Sequence, residues 1–147
     1  MRVRRLVPGD EFVVLRAGHL FEDSPDLAAV RVYLADDRNV LLFAFEGSEA
    51  VGFLRGTELH QLSTRRKQLF LYDIGVDEPF RRRGVATALI KSLLQDCRER
   101  GFEEAFVLTD PANEAAVHLY RSTGALTETN ADRLFVYPLH TALEPPV

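Results

Sequence analysis

The sequence predicts an α/β domain of the α+β kind, with a central mixed, mostly antiparallel sheet of about seven strands flanked by four helices. Two observations predict it. Apolar runs of strand length recur along the chain, and segments of helical periodicity separate them in the order β-α-α-β-β-β-α-β-α-β-β. Turn residues, chiefly Gly and Pro, punctuate the joints, so a mixed sheet covered on both faces by helices is expected.

Residues 2 to 6 read as a short first strand, stopped by Pro8, Gly9 and Asp10. Two helices follow, over residues 10–20 and 25–35, the second opened by Ser24 as N-cap with Pro25 at its first helical position. The stretch NVLLFAFEGSEAVGFLRGTEL, residues 39–59, gives two strands around an EGSE turn. A third adjacent strand is KQLFLYDIGV at 67–76. From Gly84 to Arg100 the spacing of Val85, Ala88, Leu89 and Leu93, with Ile90, Leu94 and Cys97 beside them, describes a helix with a broad apolar face, closed by Gly101. A strand at 103–109 comes next, then a short helix from Asn113 to Gly124. The segments ALTET at 125–129 and RLFVYPL at 133–139 complete the expected sheet.

With 147 residues the chain can bury one sizeable core but not two, so a single domain is expected. A net charge of −4 excludes a general nucleic-acid binder, which needs a basic excess. The basic amino terminus lacks the apolar core of a signal peptide, and the longest aliphatic-aromatic run, residues 40–45, is too short to cross a bilayer. A cytoplasmic protein with no membrane partner is expected. The lone cysteine, Cys97, rules out an intramolecular disulfide and a cysteine-cluster zinc site, and His19, His60, His118 and His140 are scattered in sequence, so no metal is expected.

The chemistry concentrates in FLYDIGVDEPFRRRGVATALI, residues 70–90. Strand alternation puts Leu71, Asp73 and Gly75 on one face and Tyr72, Ile74 and Val76 on the other, so Asp73 is a carboxylate among apolar neighbours. Such a group is either a structural aspartate bonded to a loop or an arginine, or a carboxylate lining a pocket. Gly75, inside a strand, marks a bulge or a close backbone approach, and unpaired groups there can hold an extended ligand and stabilise an oxyanion. After the strand, the amides of Gly84, Val85, Ala86 and Thr87 open a helix behind Arg81, Arg82 and Arg83, an arrangement suited to a pyrophosphate. The Walker A lysine is missing, which argues against nucleotide triphosphate hydrolysis.

Arg81-x-x-Gly84-x-Ala86 after YDIGV, followed by NEAAVHLYRSTGA, resembles the coenzyme A site of the GNAT superfamily of N-acetyltransferases, and the element order agrees over nearly the whole chain. Ala86 stands where a glycine is commoner. Within residues 70–124 the chain is similar to aminoglycoside 3-N-acetyltransferases. The resemblance implies acetyl-CoA as cosubstrate, no metal, and a small cationic amine as acceptor, with a homodimer allowed. It implies that Asn113 contacts the coenzyme, that Tyr120 gives a proton to the departing thiolate, and that the amides of Ile74 or Val76 face the oxyanion. Asp73 is the candidate for holding the acceptor cation and accepting its proton. Asp110, Glu22, Asp23 and Asp26 are candidates for further acceptor contacts. Taken singly, Tyr120 also reads as a core aromatic, Asn113 as a helix cap, Asp110 as an N-cap and the three acids of FEDSPD as solvated surface. Cys97 reads as a core residue. A peptide amino terminus or lysine as acceptor, and a non-catalytic acyl-CoA-binding module, are the alternatives.

Overall fold

The computed structural model describes residues 1–127, 135 and 137–139. Its elements are β1 (Arg2–Arg5), α1 (Glu11–Arg16), a 3₁₀ turn (Gly18–Leu20), α2 (Leu27–Ala35), β2 (Asn39–Glu46), β3 (Glu49–His60), β4 (Lys67–Val76), a second 3₁₀ turn (Glu78–Phe80), α3 (Val85–Glu99), β5 (Glu104–Val107) and α4 (Glu114–Ser122). The strands form one sheet in the order β1-β2-β3-β4-β5, antiparallel from β1 to β4 and parallel between β4 and β5. The sheet is therefore mixed and mostly antiparallel, as the sequence predicts. Among the described residues it has five strands, not seven. Residues 125–127 are irregular, and most of the two C-terminal segments expected to be strands lies outside the described residues.

Period-two patterning places the core. In β2 every residue from Val40 to Phe45 is buried, because the strand is covered on both faces. Val40, Leu42 and Ala44 pack towards α3, with Val85, Leu89, Ile90, Leu93 and Cys97. Leu41, Phe43 and Phe45 pack on the other face against Val14 of α1 and Val30 and Leu34 of α2. Each such large apolar side chain contributes about 1.5–3 kcal/mol by leaving water, enough for the α3 stripe alone to fix that helix to the sheet. Among the described residues no helix is long and apolar enough to cross a membrane.

Two helix boundaries differ from expectation. Asp26, not Ser24, caps α2: its carboxylate accepts the Ala29 N–H at 2.9 Å while its backbone stays extended. Pro25 thus lies outside the helix, which opens on Leu27. The first helix ends at Arg16, and a separate 3₁₀ turn follows through Gly18, a residue that supports helix poorly. The strand expected over 103–109 contracts to Glu104–Val107, and Leu108 beyond it is exposed.

One charge is buried at the end of the sheet away from the candidate site. Glu58 of β3 accepts from Lys67, the first residue of β4, at 3.1 Å and from Arg100, just past α3. Burial pushes its pKa up, but the two cationic hydrogen bonds more than offset this and hold it below the ordinary value. A depressed carboxylate contributes stability that is fully present above the unfolded pKa and is lost as pH falls through the folded one. Glu58→Gln is expected to lower unfolding free energy by about 1.5–3 kcal/mol near neutral pH, and to remove part of the acid dependence. Urea melts of both proteins across the acid range would check this; equal stability of the two at neutral pH would show that the cluster contributes nothing.

Candidate active site

The site is built where two strands part. Pairing between β4 and β5 runs from Gln68 opposite Glu104 to Leu71 opposite Val107 and then stops, while β4 continues through Tyr72 to Val76. The Asp77 N–H donates to Val51 C=O at 2.9 Å, which fixes the phase of this stretch. By alternation the amides of Gly75 and Asp73 also face β3, so those of Ile74 and Val76 face the open edge. Arg81 confirms the direction, its Nε donating to Val76 C=O at 3.1 Å. The amides of Ile74 and Val76 thus point away from β3.

The bulge lies elsewhere than expected. Leu71 opposes Gly56 and Asp73 opposes Arg55, so Tyr72 is the extra residue and strict alternation fails there. Leu71 consequently packs with Ile74 and Val76 in the α3 core, not beside Asp73 and Gly75. Tyr72 and Asp73 instead gather around one guanidinium. Arg55 lies 4.8 Å from the centroid of the Tyr72 ring, and its Nη2 donates to Asp73 Oδ2 at 3.2 Å. Gly75 is small for a packing reason: a Cβ there would stand 2.6 Å from Cε1 of Phe53.

The loop before α3 has an anion-binding geometry. Arg82 and Gly84 both take left-handed backbone conformations, φ 62° and 78°. The first intrahelical bond runs from Ala88 N–H to Gly84 C=O at 3.0 Å, which leaves the amides of Val85, Ala86 and Thr87 without a partner in the helix. Arg81, Arg82 and Arg83 are exposed beside them, Arg83 over the Phe80 ring at 5.4 Å. Free amides, a helix N-terminus and three guanidinium groups together suit the pyrophosphate of coenzyme A.

Tyr120, on α4, is half-buried against the α3 core cluster. Burial raises its pKa, and the charge of Asp73 raises it further, so the phenol keeps its proton at neutral pH with a carboxylate in electrostatic reach. Asn113 is the N-cap of α4, its Oδ1 accepting the Ala116 N–H at 3.1 Å, which leaves its amide nitrogen for a ligand. Asp110 is exposed and closes a turn by accepting the Ala112 N–H at 2.8 Å; it is not the cap of α4. Asp26 serves α2 as described, whereas Glu22 and Asp23 are exposed on the connection before it. Cys97 lies in the α3 core, where burial pushes its thiol up to about 11, the behaviour of a packing residue.

Sequence reasoning missed Arg55, because nothing local announces which residue a strand will place opposite Asp73. It also missed a grouping of His19, Glu49 and Asp77, whose ligand-capable atoms lie within 4.8 Å of one another although they come from three separate segments. His19 Nε2 stands 3.7 Å from Asp77 Oδ2, and the Asp77 side chain also accepts the Glu78 N–H at 3.1 Å.

Residues 10–125 match the model of the acetyltransferase (GNAT) family. N-acetyltransferase 8 of Rattus norvegicus is 30% identical over 105 residues, 71% of this chain and 46% of that protein, so the chain spans about half the length of this curated relative. Among solved structures, the aminoglycoside acetyltransferase meta-AAC0020 from an uncultured soil metagenomic sample, seen with trehalose and with sisomicin, superposes with a TM-score of 0.81 at 26% identity, covering 93% of this chain and 95% of that one. The aminoglycoside acetyltransferase HMB0005, from the same kind of source, is 32% identical with a TM-score of 0.76, covering 92% of this chain and 98% of that one.

Proposed function

The chain belongs to the GNAT acetyltransferase family, and we propose that it is an acetyl-CoA-dependent enzyme that acetylates a primary amine of a small cationic acceptor, with an aminoglycoside as the acceptor class and its 3-amino group as the position. The observation that carries this reading is that the half-buried Tyr120 phenol lies within electrostatic reach of Asp73, on the strand whose pairing with β5 ends at Leu71. A simple binding module would use the arginine loop but has no need of a carboxylate and a protonated phenol at that edge. The aminoglycoside assignment draws on the likeness to meta-AAC0020 and HMB0005, and the 3-amino position on the residues of the 70–124 stretch.

Acetyl-CoA, when bound, supplies the thioester whose acyl group the amine accepts. Arg81, Arg82, Arg83 and the amides of residues 84–87 would hold its pyrophosphate, with the Asn113 side-chain nitrogen as a further contact. The Ile74 and Val76 amides would donate to the pantetheine chain and to the oxygen on which negative charge develops. Asp73 holds the acceptor ammonium and takes part in its deprotonation, while the Tyr120 phenol retains a proton for the leaving sulfur.

The direct test is detection of free thiol on mixing purified protein and acetyl-CoA with aminoglycosides, polyamines and peptides. Release with aminoglycosides supports the reading; release with peptides alone replaces the acceptor class, and none with any amine removes the catalytic reading. Asp73→Asn keeps the shape but deletes the charge. It is expected to weaken acceptor use roughly ten- to a hundred-fold with coenzyme affinity near normal. Because the Asp73–Arg55 pair is partly exposed, its loss costs the fold only about 0–1 kcal/mol. A variant that melts much lower yet acetylates normally would make Asp73 purely structural.

A further inference from the structure

Arg55 sits at the centre of the acceptor side of the site, and four observations converge on it. It is the cross-strand partner of Asp73, and its Nη2 donates to Asp73 Oδ2 at 3.2 Å. The bulge at Tyr72 turns that ring onto the same guanidinium, at 4.8 Å. The guanidinium Nε is buried with no hydrogen-bond partner, so the base of the group is enclosed while its tip reaches Asp73. Tyr33, whose phenol donates to Val40 C=O at 3.0 Å, lies close enough to feel the Arg55 charge.

We infer that Arg55 is a positioning residue: it fixes the Asp73 carboxylate through one oxygen, so that the other oxygen is presented to the acceptor ammonium. The inference rests on the acetyltransferase reading above and deepens it. An ionised carboxylate offers about four acceptor sites, and a single Arg55 donor leaves most of them open. A planar guanidinium flanked by an aromatic ring is stiffer than a lysine ammonium in the same place, so it sets the direction of the carboxylate as well as its charge. The pair is partly exposed on both sides, so its direct contribution to fold stability is small. Its effect belongs instead to orientation, where a small misplacement of a binding group is costly to the reaction.

The test uses the full chain with Arg55→Gln, Arg55→Lys, Asp73→Asn and the Arg55→Gln/Asp73→Asn double variant. Arg55→Gln is expected to raise the acceptor KM roughly tenfold with less than a threefold change in kcat, unchanged acetyl-CoA affinity by calorimetry and little change in melting temperature. Arg55→Lys should recover part of the loss. In the Asp73→Asn background Arg55→Gln should add less than about twofold, because its effect passes through the missing carboxylate. Full additivity in the double variant, or a fall in kcat at constant KM, overturns the inference. A readout independent of the acceptor is the carboxyl ¹³C signal of Asp73, which should shift in Arg55→Gln; an unmoved signal overturns the positioning role whatever the acceptor. If that signal moves while the unaltered protein releases thiol with no amine, the clamp stands and the acetyltransferase reading falls.

Discussion

Tyr120→Phe is expected to lower turnover about a hundred- to ten-thousand-fold while leaving acetyl-CoA affinity intact. In the proposed mechanism the single deleted atom carries the donated proton, and general acid catalysis contributes on this scale. Burial and the Asp73 charge both raise the phenol from its ordinary value, so it keeps its proton at neutral pH. A leaving thiolate whose conjugate acid titrates near 8.5, as a free thiol does, ends protonated at neutral pH, so a positioned hydroxyl can hydrogen-bond to the sulfur as charge develops there. The alkaline limb of the turnover profile, where set by this group, should therefore lie above the ordinary tyrosine range and disappear in the variant. Single-turnover kinetics separates this from product release. An unchanged chemical step would reduce Tyr120 to its packing role against the α3 cluster.

Replacing Gly84 by valine is expected to abolish coenzyme binding, a loss of more than about a hundred-fold. The left-handed conformation at φ 78° disfavours any L side chain by about 1–2 kcal/mol, and a β-branched one most of all. Among the described residues, its own chain neighbours aside, no atom lies within 4 Å of the position a Cβ would take, so the cost to the fold is confined to that conformation. The added methyl groups or the relaxed backbone would disturb the amides of residues 85–87, which accept no other role in the helix. Calorimetric titration with acetyl-CoA, paired with a thermal melt, reads both effects. Unchanged affinity in a folded variant would place the pyrophosphate elsewhere.

The boundaries of β4, Lys67–Val76, and the start of α3 next to Gly84 were legible in the sequence because they rest on local signals: an apolar run, a glycine and a helical stripe. What escaped depends on partners distant along the chain. Period two gives the faces of a strand only while it is regular, so the bulge at Tyr72, created by the β3 register, could not be read from YDIGV. The smallness of Gly75 is set by Phe53, and the setting of Asp73 by Arg55, both on a neighbouring strand. Ser24 and Asp26 are both good caps; the structure selects Asp26 through an amide three residues on. The unsatisfied amides that open α3 could be read from the sequence because they follow from where a helix begins and require no particular partner.

The two ends of β4 are mechanically unlike. At Lys67 the strand is bordered on both edges and tied through Glu58 to Arg100, whereas beyond Leu71, among the described residues, it pairs with β3 alone. β4 is therefore a cantilever, rooted where the buried charge clamps three elements and supported along one edge only beside the candidate site. The length of its free part is set by where pairing with β5 ends, at Leu71, and the clamp at Glu58 secures the root from which it extends.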